Sequence, residues 1–120
     1  MTILLKRAYE AAEEHDGFRI LVDRIWPRGV SKDFANIDFW AKDVTPTTSL
    51  RKWFSHDPLK WEEFKKNYIA ELENAPDAVD EFLHLLREHE NVTFVYGAKD
   101  TKHTHALILQ EYIQNRLEES

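Results

Sequence analysis

Three short apolar runs along the chain predict β-strands. They lie at residues 3–5, 18–22 and 92–96, and they are rich in aliphatic, β-branched and aromatic residues. The second run follows the turn signal Asp16-Gly17, and the third is closed by Gly97. Because the runs are continuous rather than alternating, they favour parallel strands that are buried on both faces of a sheet.

The segments between and after these runs have helical periodicity. Asp57 and Pro58 provide an N-cap and a proline at the first helical position, and two further helices are predicted, one from near Pro76 and one capped by Thr101. A shorter helix is indicated near residues 45–54, and residues 31–44 are expected to mix helix and loop. Apolar stripes on the three longer helices supply most of the predicted core, which consists of Trp61, Phe64, Tyr68, Phe82, Leu83, Leu109 and Ile113.

This alternation of strands and helices predicts an α/β fold. We expect a single small three-layer domain over residues 1–120, with a short, mainly parallel sheet and helices on both faces. Neither internal repeats nor low-complexity segments interrupt the chain. A chain of 120 residues is long enough for one hydrophobic core.

Composition removes several classes of function. The chain has no cysteine, so disulfides, thiolate metal sites and cysteine nucleophiles are excluded. No apolar run reaches the roughly 20 residues that span a bilayer, and acids near the start oppose a signal peptide, so a cytoplasmic protein without membrane contact is expected. A net charge of −6 opposes nonspecific binding to nucleic acid, which we treat as the weakest candidate partner.

Charged side chains follow the predicted strands at the point where each strand ends. Asp23 and Arg24 come after the second strand, and Lys99 and Asp100 come after the third. Open parallel sheets bind ligands in the crevice beyond the carboxyl ends of their strands. Arginine guanidinium groups bind phosphate or carboxylate through paired hydrogen bonds. The sequence therefore predicts a pocket for a small anionic ligand, whose candidate binding residues are Arg24, Trp26, Arg28, Arg51 and Lys99.

The same edge of the sheet carries groups that can move a proton. His103 is the best candidate for acid or base work, and Asp23 or Asp100 is its candidate orienting carboxylate. The candidate catalytic residues are therefore Asp23, Asp100 and His103. A non-catalytic domain that binds a metabolite with the same cluster is equally compatible with the sequence. A third interpretation is structural, in which the arginines pair with Asp23, Asp43 and Asp100 and hold loops onto the sheet.

Motifs for common cofactors and metals do not occur. The chain has no Walker loop, no G-x-G-x-x-G and no G-x-S-x-G, so no cofactor is expected. His103 and His105 lie two positions apart, which is not the spacing of a helical zinc site, and no metal is expected either.

One block of the sequence resembles a known bacterial family. Residues 22–29, Val-Asp-Arg-Ile-Trp-Pro-Arg-Gly, are similar to the signature of the DUF488 family, in its short YeaO-like branch. Residues 40–43, 50–54 and 98–100 followed by His103 are similar to further blocks of that branch, so the resemblance covers almost the whole chain. Thr104 departs from the family pattern, which has Asn after this His. The resemblance implies a compact α/β fold with a shared charged cluster, and it implies no reaction.

Overall fold

A computed structural model describes residues 1–119 and places four parallel strands in one sheet. The strands are β1 (Thr2–Arg7), β2 (Phe18–Leu21), β3 (Phe39–Trp40) and β4 (Asn91–Tyr96), in the spatial order β1-β4-β2-β3. The three predicted strands and their parallel arrangement are confirmed. The sequence did not indicate β3, because two residues are too few to show a periodicity. The predicted domain ends at Ser120, which lies outside the described residues.

Five α-helices connect and follow the strands. They are α1 (Lys32–Ala35), α2 (Thr48–Phe54), α3 (Trp61–Glu73), α4 (Pro76–Leu86) and α5 (His105–Glu119). Short 3₁₀ turns occur at Glu14–Asp16, Lys42–Val44 and Pro58–Lys60. Asp57 acts as a cap as predicted: its carboxylate accepts a hydrogen bond from the Leu59 N–H, and the 3₁₀ turn that it caps leads directly into α3.

The predicted start of the last helix at Thr101 was wrong, since α5 begins at His105. Asp100 accepts hydrogen bonds from the backbone N–H groups of Lys102 and His103 and holds this segment in a turn instead. Thr104 caps the helix, because its hydroxyl oxygen lies 3.4 Å from Ala106 N and its carbonyl accepts from Leu107 N. Two threonines that can cap a helix, Thr101 and Thr104, lie within four positions, and the helix begins after the buried one, Thr104.

The first face of the sheet holds the main hydrophobic core. Ile20, Val92 and Phe94 point to this face, where α2 to α5 cover them. Six of the seven predicted core residues are buried here, and the seventh, Trp61, is partly buried against them. The Tyr68 hydroxyl donates to the Val44 carbonyl at 2.5 Å, so the one polar atom of this buried ring has a partner.

The second face has a thinner cover and a polar centre. Arg19 is 1% exposed and Asp16 is 2% exposed, and their side chains form an ion pair. The small apolar cluster beside them is formed by Ala8, Val30, Ala35 and Val95. Ala35 belongs to α1, so helices do cover both faces as predicted, although the four longer ones share the first face.

This arrangement creates a switch point in the sheet. From β2 the chain runs to α1 on the second face, whereas from the neighbouring β4 it runs to α5 on the first face. Neighbouring parallel strands whose connections leave toward opposite faces open a crevice at their carboxyl ends. The crevice between β2 and β4 is therefore the expected position of a ligand site. None of the helices in residues 1–119 combines the length and apolar character of a membrane-spanning helix.

Candidate functional site

A cavity of about 260 Å³ lies at this crevice, beyond the carboxyl ends of β2 and β4. Residues just beyond the ends of β2 and β4 form part of its wall, and α2, α3 and the start of α5 complete it. Its lining is half apolar and half polar. The lining residues are Tyr9, Asp23, Arg24, Ile25, Pro27, Arg51, Phe54, His56, Phe64, Gly97, Ala98, His103, Thr104 and His105.

Asp23 connects the two strands that border the crevice. Its Oδ2 accepts a hydrogen bond from the Gly97 N–H at 2.9 Å. A Cβ atom at position 97 would lie 3.0 Å from this oxygen, so a larger residue there would require the carboxylate to move back by a few tenths of an ångström. Oδ1 is buried and lies 3.3 Å from His105 Nε2, but that nitrogen contacts the Val22 carbonyl at 2.7 Å. Oδ1 therefore has no hydrogen bond within residues 1–119.

Two arginines line the cavity, and their surroundings differ. Arg24 Nε donates to the Pro46 carbonyl at 3.0 Å, and Nη2 lies 3.5 Å from the Thr45 carbonyl. Arg24 is thus fixed against the loop before α2. The guanidinium of Arg51, on α2, is half-buried and forms no hydrogen bond or ion pair with any side chain or carbonyl of residues 1–119. A half-buried cation without a partner is the group in this cavity most suited to receive an anion.

The predicted ion pairs of the structural interpretation are not formed. Across the described chain, the guanidinium groups of Arg24, Arg28 and Arg51 have no carboxylate within ion-pair distance. The carboxylates expected as their partners have other neighbours or none: Asp23 binds Gly97, and Asp100 binds the turn before α5. These arginines therefore do not hold loops onto the sheet through carboxylates.

His103 faces the cavity and is held by two neighbours. Its Nδ1 lies 2.9 Å from Asp100 Oδ2, and its ring meets the Trp61 ring edge-on at 5.4 Å. Hydrogen bonds from the Lys102 N–H and from His103 lower the pKa of Asp100 below its usual value. Of the two carboxylates proposed as its partner, Asp100 is thus the one in contact with the His103 imidazole, although Asp100 itself does not line the cavity and its catalytic role stays a prediction.

His105 and His56 also line the cavity, and sequence reasoning missed both. His105 was placed inside a helix because the helix start was set at Thr101; the cap residue Thr104 was the signal that puts His105 in the first turn, beside the sheet edge. Ser55 and His56 both have positive φ angles, 45° and 56°. Two successive residues in the left-handed region are uncommon without glycine, and such strain often occurs at functional sites.

The remaining predicted residues lie outside the lining of this cavity. Arg28 and Lys99 are exposed on the same edge of the molecule, so of the three basic residues expected in one pocket only Arg24 lines it. Trp26 points away: its Nε1 donates to the Val30 carbonyl at 2.7 Å, and its ring meets Trp40 edge-on. Trp26 is thus a packing residue of the second face in this structure.

The charge of the cavity is opposite to that of the chain. The lining contains two arginines against the single carboxylate of Asp23, while the whole chain has a net charge of −6. Apolar side chains form the other part of the wall, including Ile25 and Phe54. Low-dielectric walls strengthen the field of the cations, so the cavity suits a small molecule with one anionic end and one apolar end.

One further group has the geometry of cation ligands. Glu13, His15 and Asp16 present ligand atoms within 4.8 Å of one another. Both carboxylates, however, already accept hydrogen bonds from the Lys6 ammonium, and Asp16 also accepts from Arg19. Their charge is thus compensated by protein cations, and we assign no metal to this group.

Comparison with known proteins identifies relatives along the whole chain. The family model described as "Inactive DUF488-N3 subclade" matches residues 2–120. The chain is 38% identical to the uncharacterized protein YeaO of Escherichia coli K12 over 115 residues, which cover 96% of this chain and 99% of that protein. It is 35% identical to the uncharacterized protein Rv3073c of Mycobacterium tuberculosis H37Rv over 114 residues, which cover 95% of each. No solved structure matches the chain significantly.

Proposed function

This chain belongs to the DUF488 family, in its inactive DUF488-N3 subclade, and from that premise we propose that it is a non-catalytic domain that binds a small anionic metabolite. The cavity between β2 and β4 is the proposed binding site. The description of the subclade as inactive favours binding without turnover. The ligand class is a small molecule with a phosphate or carboxylate group and an apolar part.

One observation carries this proposal, namely the unpartnered guanidinium of Arg51 in a half-polar cavity. Partly burying a cation costs free energy, and no carboxylate within residues 1–119 compensates for that cost. A bound anion would provide the compensation. Arg24 and His103 border the same cavity, so an anion held by Arg51 would meet further donors there.

Thermal unfolding with added anions tests the proposal. A ligand that binds only the folded state, at about 100 times its dissociation constant, should stabilise the protein by roughly 2.7 kcal/mol. For a domain of this size, such a gain raises the melting temperature on the order of 10 °C. Phosphate is the first probe, and phenyl phosphate tests the apolar part of the site. Chloride at equal ionic strength corrects for general salt effects.

Two arginine variants provide the matched comparison. Arg51→Ala removes the cation that lines the cavity, whereas Arg28→Ala removes an exposed cation on the same edge of the molecule. We expect Arg51→Ala to lose most of the shift produced by phosphate in excess over chloride, and Arg28→Ala to keep it. Equal shifts in wild type and Arg51→Ala would refute the site.

Acid–base catalysis is a second candidate, favoured by the contact between His103 and Asp100. A carboxylate that orients an imidazole at a cavity is the arrangement of a general base. Asp23 is the other candidate catalytic carboxylate because it is the one acid in the lining. A screen for turnover of small phosphate and carboxylate esters decides between the two candidates. Turnover that is lost in His103→Gln supports catalysis, and binding without turnover supports the first proposal.

The remaining expectations stay predictions. We propose that the protein acts in the cytoplasm without cofactor, metal or nucleic acid. Cell fractionation tests the compartment, and a binding assay with single-stranded RNA at increasing salt tests the last of these expectations.

A further inference from the structure

β1 and β3 are the two edge strands of the sheet. The free edge of β3 forms a surface separate from the candidate site. β3 pairs with β2 alone, and no strand in residues 1–119 covers its other edge. Phe39 is 41% exposed at this edge. An uncovered edge strand presents backbone N–H and C=O groups that can pair with another chain.

A large hollow adjoins this edge on the first face of the sheet. It has a volume of about 750 Å³ and lies between β3, the 3₁₀ turn that follows it, and α4. Phe39, Phe82 and Leu85 contribute to its apolar floor. Its rim is acidic, with the carboxylates of Asp43, Asp80, Glu81 and Glu88.

A smaller hollow of about 210 Å³ adjoins the same edge on the second face. Trp26 and Ile37 line it together with the two residues of β3. Successive side chains of a strand point to opposite faces of a sheet. A strand added to the free edge of β3 would therefore place alternate side chains over the large and the small hollow.

Charge determines which kind of segment fits the large hollow. Asp80 contacts Arg116 at 3.4 Å, and Glu88 lies 4.0 Å from His84, but Asp43 and Glu81 form no ion pair within residues 1–119. The one lysine of the lining, Lys42, has its Nζ over the Trp40 ring at 3.8 Å. With Asp80 paired to Arg116, three carboxylates against one lysine still leave the hollow negative. A second copy of this chain would bring the same carboxylates and a further net charge of −6, so like charges would oppose self-association.

We propose that the free edge of β3 binds an extended peptide segment of a partner protein, added as a further strand. Lysine or arginine side chains at alternate positions contact the acidic rim of the large hollow. The intervening apolar side chains contact the small hollow beside Trp26. Main-chain hydrogen bonds to β3 supply part of the affinity, and the two hollows supply the selectivity.

A designed peptide tests this surface directly. The probe is a blocked hexapeptide that alternates lysine and valine, and binding is followed by backbone NMR shifts of β3 and α4. We expect saturable binding to wild type, with the largest shifts at Phe39 and Trp40. The same peptide with glutamate in place of lysine should not bind. A version with methylated backbone nitrogens should bind at least about tenfold more weakly, because it cannot pair as a strand.

Two charge reversals on the protein complete the test. Glu81→Lys, at the rim, should weaken binding about tenfold, whereas Glu62→Lys, at another exposed acid at the start of α3, should change it less than about twofold. Absence of saturable binding by the lysine peptide, or equal effects of the two reversals, would overturn the proposal. It is also overturned if sedimentation shows a dimer that Phe39→Lys dissociates, because the edge would then be an interface between copies.

Discussion

The two faces of the sheet are stabilised by different means. On the first face, four helices cover an apolar core in which Phe94 of the central strand β4 is 0% exposed. On the second face, a loop and one short helix cover a buried ion pair between Arg19 and Asp16. Arg19 also donates through Nε and Nη2 to the Ala35 carbonyl, at 3.0 and 2.8 Å. The polar group therefore anchors α1 to the sheet.

The difference shows what each kind of interaction contributes. Apolar burial stabilises a face without fixing one geometry, because similar volumes are interchangeable. The polar cluster fixes one geometry: the Asp16 carboxylate accepts from Lys6 on β1 and Arg19 on β2, and its carbonyl accepts from Thr93 on β4. All three strands are joined at one residue of the loop. We therefore expect the second face to tolerate few substitutions although it buries less apolar surface.

The largest expected effect concerns the apolar face. Phe94→Ala would leave a cavity beside Phe82, whose ring centroid lies 5.8 Å away. We expect the free energy of unfolding to fall by about 4 kcal/mol, as is typical for buried Phe→Ala changes. Urea unfolding measures this, with an unchanged m-value as the sign that the variant still unfolds as a unit. A loss below about 1 kcal/mol would show that this face is less closely packed than the structure indicates.

The second expected effect concerns the polar face. Arg19→Met keeps the length of the side chain but removes two kinds of contact, to Asp16 and to the Ala35 carbonyl. Removing one partner of a buried ion pair typically costs 3–5 kcal/mol. We expect about 3 kcal/mol, because Asp16 retains the Lys6 ammonium and the Glu13 N–H as partners. Urea unfolding at neutral pH measures this loss.

The pH dependence of the Arg19→Met loss identifies its cause. Burial acts to raise the pKa of Asp16, but hydrogen bonds from the Glu13 N–H, Lys6 and Arg19 outweigh it, and the pKa lies below its usual value. The ionised carboxylate therefore stabilises the fold above its unfolded pKa of about 3.9, and this stability is lost as pH falls through the folded pKa. The deficit of Arg19→Met should thus shrink below about pH 4. A deficit that does not change with pH would show that packing, and not the charge pair, is responsible.

The smallest expected effect concerns the start of α5, which covers the apolar face. Thr104→Ala should lower the free energy of unfolding by about 1 kcal/mol, because the cap at Ala106 is lost. Thr101→Ala should change it by less than about 0.5 kcal/mol, since Thr101 is exposed in the preceding turn. Each variant loses one hydroxyl and one methyl group, at positions three residues apart, so thermal unfolding compares them directly. Equal losses would restore the sequence-based helix start.

Part of the cavity lining was predicted from the sequence, whereas the role of these residues as a binding site stays a prediction. A cavity lies where the rule for parallel strands predicts a ligand site, because Asp23 is the second residue after β2 and Gly97 directly follows β4. Arg24, Arg51 and His103 line the cavity, whereas Arg28 and Lys99 lie outside it. Sequence position places a residue at an edge, but it does not give the direction of a long side chain in a loop. That direction depends on local turns and on distant carbonyls such as that of Pro46, which Arg24 contacts across 22 positions.

The sequence by itself determined the α/β class, three parallel strands and the apolar surfaces of the three longer helices. These features follow from the local periodicity and burial of apolar residues, which depend on residues that are close together in the sequence. Only the tertiary structure decided that Arg19, inside an otherwise apolar strand, is buried against Asp16, and that two-residue β3 forms the edge of the sheet. The tertiary structure also decided that Arg51 lines the cavity whereas Arg28 is exposed outside it. These outcomes depend on contacts between distant segments, and such contacts leave no periodic signal in the chain.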